Sequence, residues 1–457
     1  MTHYPGSRND SLVYFCAVSI FIAVSLTGCR SKPSATVQSY LSGTLTVSAD
    51  ADSTGDYSGF EVAVLSANTE DDLDTLGYAI TNTDGTFEMA LRSDERGIFP
   101  VEIRRNDRLL IRDQFALAEN DSATIRQEFP MKRSFLMFRS VENGAWMAYR
   151  NTRALHNQRL ADLSASSSAT LDDLRAAVLQ ASEIMWSLNE SYPGTIGAEL
   201  AMTESIMMLE GWDDSLVTAR SYMIEPTDAG FINSVQALRR STARQFGVAA
   251  AVDSLESRLS GISDPEIASA VRAEIVLAHL DSMDVTAARA AAKQLESKSD
   301  SDKWDSWATS AMYEMDNLMP GMAAPNANFT DLAGRELDLN FFFDTTVLLE
   351  FIDPSDLAAV VNQRARTDLL KLSDGTNLQV ITISLNRDRI ANEIYLENRT
   401  TVEAYIVPRL GVDSEIARAY NVKSVPKRFL IHEGRIFAKY GGTSVAGIRQ
   451  DILSLLD

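Results

Sequence analysis

The sequence predicts a multidomain protein: a β-sandwich, then a stack of α-helical hairpins, then a layered α/β domain. Three changes of periodicity indicate this order. Apolar and polar residues alternate over 42–130, apolar residues recur every three or four positions over 140–319, and short apolar strands alternate with helical stretches over 320–457. With 457 residues, 45% hydrophobic and 23% charged, the chain has the composition of about three folded domains.

Charge and cysteine content exclude several classes of function. Acidic residues outnumber basic ones, 63 to 42, and the net charge of −21 repels phosphate backbones, so we expect no nucleic-acid partner. Only two cysteines occur, Cys16 and Cys29, which excludes a disulfide framework and a cysteine-rich metal site. No phosphate loop or hydrolase motif is present, and we expect no cofactor.

Residues 1–28 are typical of a signal peptide. Their 15-residue apolar run, 12–26, is too short to cross a hydrocarbon core of about 30 Å as a helix. The run ends in Leu26-Thr27-Gly28-Cys29, which resembles the bacterial lipobox. The resemblance implies cleavage before Cys29 and acylation of that cysteine with palmitate or a similar chain. An ordinary signal peptide or an uncleaved anchor is the alternative.

A lipid anchor on Cys29 predicts where the protein resides. The mature chain faces the periplasm of the bacterial cell envelope and has no free thiol, because Cys16 leaves with the signal peptide. Arg30 stands where lipoproteins retained in the inner membrane carry aspartate, so we expect the outer membrane. The segment 29–41 is short and polar, which predicts a tether.

Residues 42–130 are typical of a β-sandwich. Phe60, Val62 and Val64 alternate with other residues, and 82–85, Asn-Thr-Asp-Gly, predicts a hairpin turn because Asp-Gly accepts a positive φ. The stretches SGTLTV, FEVAVLS and TNTDGTFEM resemble the carboxypeptidase-regulatory-like fold. That resemblance implies a fold but says very little about function.

An acidic loop at 50–61 nearly fits the calcium-binding loop of an EF-hand. Oxygen-bearing side chains stand at its first, third, fifth and twelfth positions: Asp50, Asp52, Thr54 and Glu61. The flanks predict strands, whereas an EF-hand needs helices. A solvated acidic loop is the favoured interpretation, no other metal site is expected, and calcium is the alternative.

Residues 140–319 have helical spacing. One apolar stripe comprises Leu171, Leu174, Val178, Ala181, Met185 and Leu188. Asp264 before Pro265 predicts a helix start, and Asp284 can cap the next helix. The packing is similar to that of tetratricopeptide proteins, but the segment has no clean repeat.

Residues 320–457 resemble the thioredoxin fold, most closely that of the TlpA/ResA-type extracytoplasmic thiol–disulfide oxidoreductases. The matching motifs are Gly321-Met322-Ala323-Ala324-Pro325, Val347-Leu348-Leu349-Glu350-Phe351 and Ser424-Val425-Pro426. We expect a closing hairpin, Arg428–Ile431 and Ile436–Tyr440, before a C-terminal helix. The resemblance implies a cis-proline turn at Pro426 that holds an extended peptide, and a buried acid at Glu350.

The cysteines of that family are missing. Where members carry Cys-x-x-Cys at a helix start, this chain has Asp356-Leu357-Ala358-Ala359, so Asp356 and Ala359 occupy the two cysteine positions. A carboxylate cannot exchange a disulfide, because the reaction needs a thiolate. We therefore assign no catalytic residue.

Three functions remain open. The favoured one is a membrane-anchored lipoprotein whose redox-inactive thioredoxin-like domain binds a protein or peptide ligand. The first alternative is a thiol–disulfide oxidoreductase or antioxidant protein, TlpA/ResA-like or peroxiredoxin-like, which contributes to envelope redox homeostasis. The cysteine count argues against it. The second is a purely structural scaffold.

Overall fold

A computed structural model describes residues 37–51, 53–69, 72–166, 168–331, 333–355, 371–372, 376–397, 404–441 and 446–456. The signal-peptide segment and Cys29 lie outside the described residues. The described chain divides into two compact units, 37–301 and 302–456. In the described part of the chain, no helix combines the length and the apolar character needed to cross a membrane.

The first unit opens with two four-stranded sheets, in the orders β4-β1-β7-β8 and β3-β2-β5-β6. Strand β1 is antiparallel to β4 and parallel to β7. The strands are β1 (Val37–Val47), β2 (Phe60–Thr69), β3 (Asp72–Ile80), β4 (Thr86–Ser93), β5 (Gly97–Arg105), β6 (Arg108–Leu117), β7 (Ser122–Phe129) and β8 (Phe138–Arg139).

Side chains from both sheets share one hydrophobic core. Leu41 of β1 and Leu91 of β4 meet Phe60 of β2 and Val101 of β5, and none of the four is exposed to solvent. The ring of Phe60 also stacks on that of Phe129, with centroids 5.3 Å apart. Two sheets that bury their inner faces against each other form a sandwich.

Two details of this segment differ from the sequence predictions. Strand β1 begins at Val37, within the predicted tether, because fully buried Ser39 continues the inward-facing positions toward the N-terminus. The predicted turn at 82–85 forms, with Gly85 at φ +80°, but it joins strands of different sheets. A Cβ atom on Gly85 would lie 2.1 Å from the carbonyl oxygen of Leu45, so only glycine fits there.

Helices α1 to α8 complete the first unit, and each packs against the next. Asp264 caps α7 by accepting from the amides of Glu266 and Ile267, and Asp284 caps α8, so both predicted caps are confirmed. The helices are α1 (Val141–Ala165), α2 (Leu171–Ser191), α3 (Ile196–Leu209), α4 (Asp214–Ser221), α5 (Phe231–Phe246), α6 (Val248–Leu259), α7 (Pro265–Asp281) and α8 (Val285–Lys298).

The second unit begins with a helix that the sequence analysis places in the helical segment, α9 (Asp302–Asn317). Leu318, directly after it, is fully buried in the core of the C-terminal sheet. The remaining elements are β9 (Asn328–Thr330), β10 (Glu336–Asp338), β11 (Thr346–Ile352), β12 (Leu378–Ser384), α10 (Arg389–Glu397), β13 (Ala404–Ile406), α11 (Glu415–Ala419), β14 (Lys427–His432), β15 (Arg435–Gly441) and α12 (Ala446–Leu456).

A five-stranded sheet forms the centre of this unit, in the order β13-β12-β11-β14-β15. Central strand β11 is parallel to β12 and antiparallel to β14, and every residue of β11 is buried. Leu349 and Phe351 face the larger core, whereas Leu348 faces a smaller one shared with Ile448 and Ile452 of α12. The predicted closing hairpin, β14–β15, and the C-terminal helix are confirmed.

Candidate functional site

Two segments that the sequence analysis singled out meet at one edge of the five-stranded sheet. Strand β11 ends there at Ile352, and the turn that carries Pro426 leads into β14. Because β14 is antiparallel to β11, its first residue, Lys427, pairs with Phe351 near the end of β11. The turn and the chain that follows β11 therefore lie side by side.

The turn before β14 has backbone groups that no described residue bonds to. The Val425–Pro426 peptide bond is cis, as the resemblance implied. Ser424 is exposed, and Val425 and Pro426 are half-buried. Within the described part of the chain, no group makes a hydrogen bond to the backbone N–H or C=O of Ser424 or Val425. An extended polypeptide could bond to such groups as an added strand does.

Glu350 is fully buried in the middle of the sheet and is paired with Arg428. The two residues are register partners on β11 and β14, and the Arg428 Nε donates to the Glu350 Oε1 at 2.8 Å. The Arg428 side chain is 4% exposed, and the hydroxyl of Thr382 donates to the second carboxylate oxygen at 3.3 Å. Glu350 is thus one member of a buried ion pair. The sequence analysis did not single out its partner, Arg428.

The order and directions of the strands decide the fold of this unit. A central strand lies between one parallel and one antiparallel neighbour, and the cis-proline directly precedes the antiparallel one. The C-terminal unit contains a thioredoxin-like domain.

Comparisons with solved structures concern this fold only. No protein-family model and no curated protein matches the sequence. A thioredoxin domain of a Bacteroides vulgatus thiol–disulfide oxidoreductase is 17% identical, covering 31% of this chain and 100% of that one with a TM-score of 0.27. A thiol:disulfide interchange protein from Bacteroides sp. is 18% identical (30% and 91%, TM-score 0.27). A Bacteroides fragilis thiol–disulfide oxidoreductase is 24% identical (28% and 98%, TM-score 0.25).

The predicted cysteine positions of the thioredoxin-like domain, Asp356 and Ala359, lie outside the described residues. Their placement at the start of a helix stays a prediction. The sequence itself contains no cysteine after Cys29, so this domain holds no thiol.

A polar cluster fixes the chain just after β11. The Oδ1 of Asp353 accepts from the Ser355 amide at 2.8 Å, the Ser355 hydroxyl at 2.6 Å and the Asn386 side-chain amide at 2.9 Å. Burial alone raises the pKa of the Asp353 carboxyl, but these hydrogen bonds outweigh it and hold that pKa below its ordinary value. The sequence analysis missed Asp353, although Asp-Pro-Ser is a known turn signal.

The calcium alternative at Asp50, Asp52, Thr54 and Glu61 stays a prediction. Glu61 lies on β2, where it pairs with Ile80 of β3. Asp50 and Thr54 lie in the exposed loop before β2, and Asp52 is outside the described residues. Across the described ranges, no three histidine, cysteine, aspartate or glutamate side chains are grouped to hold a metal ion.

Proposed function

We propose that this chain is a lipid-anchored protein of the bacterial cell envelope whose thioredoxin-like domain binds extended polypeptide without redox turnover. One observation carries the proposal: among the described residues nothing bonds to the backbone groups of Ser424 and Val425 in the turn before β14, while the chain has no cysteine after Cys29. Thiol–disulfide exchange requires a thiolate that attacks a sulfur. Without a thiolate, the turn before β14 can still bind an extended polypeptide.

Apolar surface near the same edge supports a polypeptide ligand. Leu410 and Val412 are 56% and 60% exposed, and Gly411 between them lies against the carbonyl oxygen of Leu385, which follows β12. Exposed aliphatic side chains at this edge of the sheet are suited to an extended chain that alternates backbone hydrogen bonds with side-chain contacts.

The lipid anchor and the location are supported by the sequence alone. The lipobox-like residues Leu26-Thr27-Gly28-Cys29 follow an apolar run of signal-peptide length. We propose acylation at Cys29 and, from Arg30, an outer-membrane protein that faces the periplasm.

Binding can be tested with residues 30–457 and a defined unfolded peptide. We expect fluorescently labelled, carboxymethylated insulin B chain to bind in an anisotropy titration at physiological salt. Ser424→Trp should weaken binding by about tenfold or more, because an indole beside the turn blocks its backbone groups. The matched control, Ser454→Trp on the exposed surface of α12, should bind as the wild type does. Failure of the wild type to bind at any usable concentration would refute the proposal.

The absence of redox turnover can be tested on the same protein. Residues 30–457 should not accelerate the reduction of insulin by dithiothreitol and should not react with a thiol reagent after denaturation. Reduction well above the uncatalysed rate would instead favour the oxidoreductase alternative.

A further inference from the structure

Helix α9 contacts the beginning of the segment that carries the proposed binding turn. The Tyr313 hydroxyl donates to the carbonyl oxygen of Ala419 at 2.9 Å. The Ser310 hydroxyl donates to the Asn421 Oδ1 at 2.8 Å, and the Asn421 side-chain amide donates back to the Ser310 carbonyl at 3.1 Å. Asn421 has a φ of +47°, a left-handed conformation that asparagine adopts more readily than most residues.

Glu314 of the same helix contacts both the beginning and the end of that segment. Its Oε1 accepts from the Lys427 ammonium at 2.6 Å and from the Asn421 side-chain amide at 3.2 Å. Its Oε2 accepts from the Lys439 ammonium of β15 at 2.9 Å. Lys427 also donates to the Asn421 carbonyl at 3.0 Å. One carboxylate therefore joins Asn421, before the turn, to Lys427, directly after Pro426.

The charge of Glu314 is maintained by its surroundings. Burial alone raises the pKa of this carboxyl, but the two lysine ammonium groups outweigh burial and hold the pKa below its ordinary value. The side chains of Glu314, Lys427 and Lys439 are 22%, 18% and 27% exposed, so salt screens these pairs less than fully exposed ones.

We propose that Glu314 is a positioning residue for ligand binding: it holds both ends of the 421–427 segment and so presents Ser424 and Val425 in one arrangement. The inference rests on the proposed function. A loop with fixed ends has fewer conformations to lose when a ligand binds, whereas a loosened loop binds only in the fraction of molecules that have the competent arrangement. Sequence reasoning had no access to this role, because Glu314 lies more than a hundred positions before its partners.

Replacing Glu314 should loosen the turn and weaken binding together. In Glu314→Ala we expect faster amide hydrogen exchange over 419–427 in the free protein. We also expect about a tenfold higher Kd for carboxymethylated insulin B chain, because the competent arrangement becomes a minority state. The matched control is Asp302→Ala, which removes the same charge from an exposed position on the same helix. It should change neither quantity.

A second variant separates positioning from a general loss of stability. Glu314→Gln keeps an oxygen that can accept from Lys427 but loses the charge, so its exchange and its Kd should fall between those of the wild type and Glu314→Ala. The melting midpoint of each variant is measured alongside. If Glu314→Ala does not fold, Glu314→Gln takes its place, and faster exchange confined to 419–427 with a raised Kd is the expected result.

The outcomes distinguish this inference from the proposed function. If the wild type does not bind the B chain, the proposed function fails, and exchange over 419–427 in the free variants still decides whether Glu314 holds the segment. If the wild type binds and Glu314→Ala matches it in exchange and in Kd, the positioning role is wrong. Faster exchange throughout the second unit would also overturn it, since that result shows a general structural role.

Discussion

At the scale of single residues, Glu350 and Arg428 form a buried charged pair at the centre of the C-terminal sheet. The sequence analysis expects a buried acid at Glu350, as the resemblance to the thioredoxin fold implies. The structure shows it fully buried and ion-paired with Arg428. The partner could not be read from the sequence, because the pairing joins strands whose residues lie 78 positions apart.

Removing one member of this pair should be costly. Glu350→Gln removes the carboxylate charge that faces the buried Arg428 guanidinium at 2.8 Å, and we expect a loss of about 3–5 kcal/mol in the free energy of unfolding, measured by urea denaturation. The control is the double variant Glu350→Leu, Arg428→Met, which removes both charges and should lose less. A double variant as unstable as Glu350→Gln would show that the cost arises from packing and not from the broken Glu350–Arg428 pair.

At the scale of elements, the sequence predicted features that depend on neighbouring residues, such as helix caps and hairpins. It did not predict features that depend on tertiary contacts. Asp264 and Asp284 cap helices as their positions indicated, and the hairpin β14–β15 forms as predicted. Helix α9 was assigned to the helical segment because its periodicity does not show which core it packs against. Buried Leu318 and the ion pairs of Glu314 place it in the C-terminal unit, and both depend on tertiary contacts.

The register of the helix proposed to follow β11 can be tested with two introduced cysteines. Asp356 and Ala359 are spaced i and i+3, so on a helix they share a face. Asp356→Cys with Ala359→Cys should form an intramolecular disulfide under mild oxidation, detected as a loss of two mass units. The first thiol should have a pKa below about 8.5, because the proposed alignment puts it at a helix N-terminus. Failure to bridge, as expected for Cα atoms more than about 7 Å apart, would show that the alignment is shifted.

At the scale of the whole molecule, the sequence predicted three successive domains: a sandwich, a helical stack and an α/β domain. The described chain forms two compact units, and the first contains both the sandwich and helices α1 to α8. Periodicity reports which face of an element is buried and not what buries it. For the same reason the sequence located Pro426 and Glu350 but missed Arg428, Asp353 and Glu314.

The proposed membrane anchor makes a prediction for the intact protein in a bacterial host. Cys29→Ser should accumulate as an unprocessed precursor, because lipobox cleavage follows acylation of that sulfur. Mass spectrometry of the wild-type N-terminus should find an acylated Cys29. An unmodified mature terminus at another residue would remove the lipoprotein assignment and leave the rest of the account unchanged.

The central claim is that the turn before β14 binds extended polypeptide in a domain without thiols. Its most direct test is amide hydrogen exchange of residues 30–457, with and without saturating carboxymethylated insulin B chain. We expect slower exchange at the amides of Ser424 and Val425 when the peptide is bound, and no change at an exposed loop such as 106–107 in the sandwich. Bound peptide that leaves Ser424 and Val425 exchanging as in the free protein would contradict the claim.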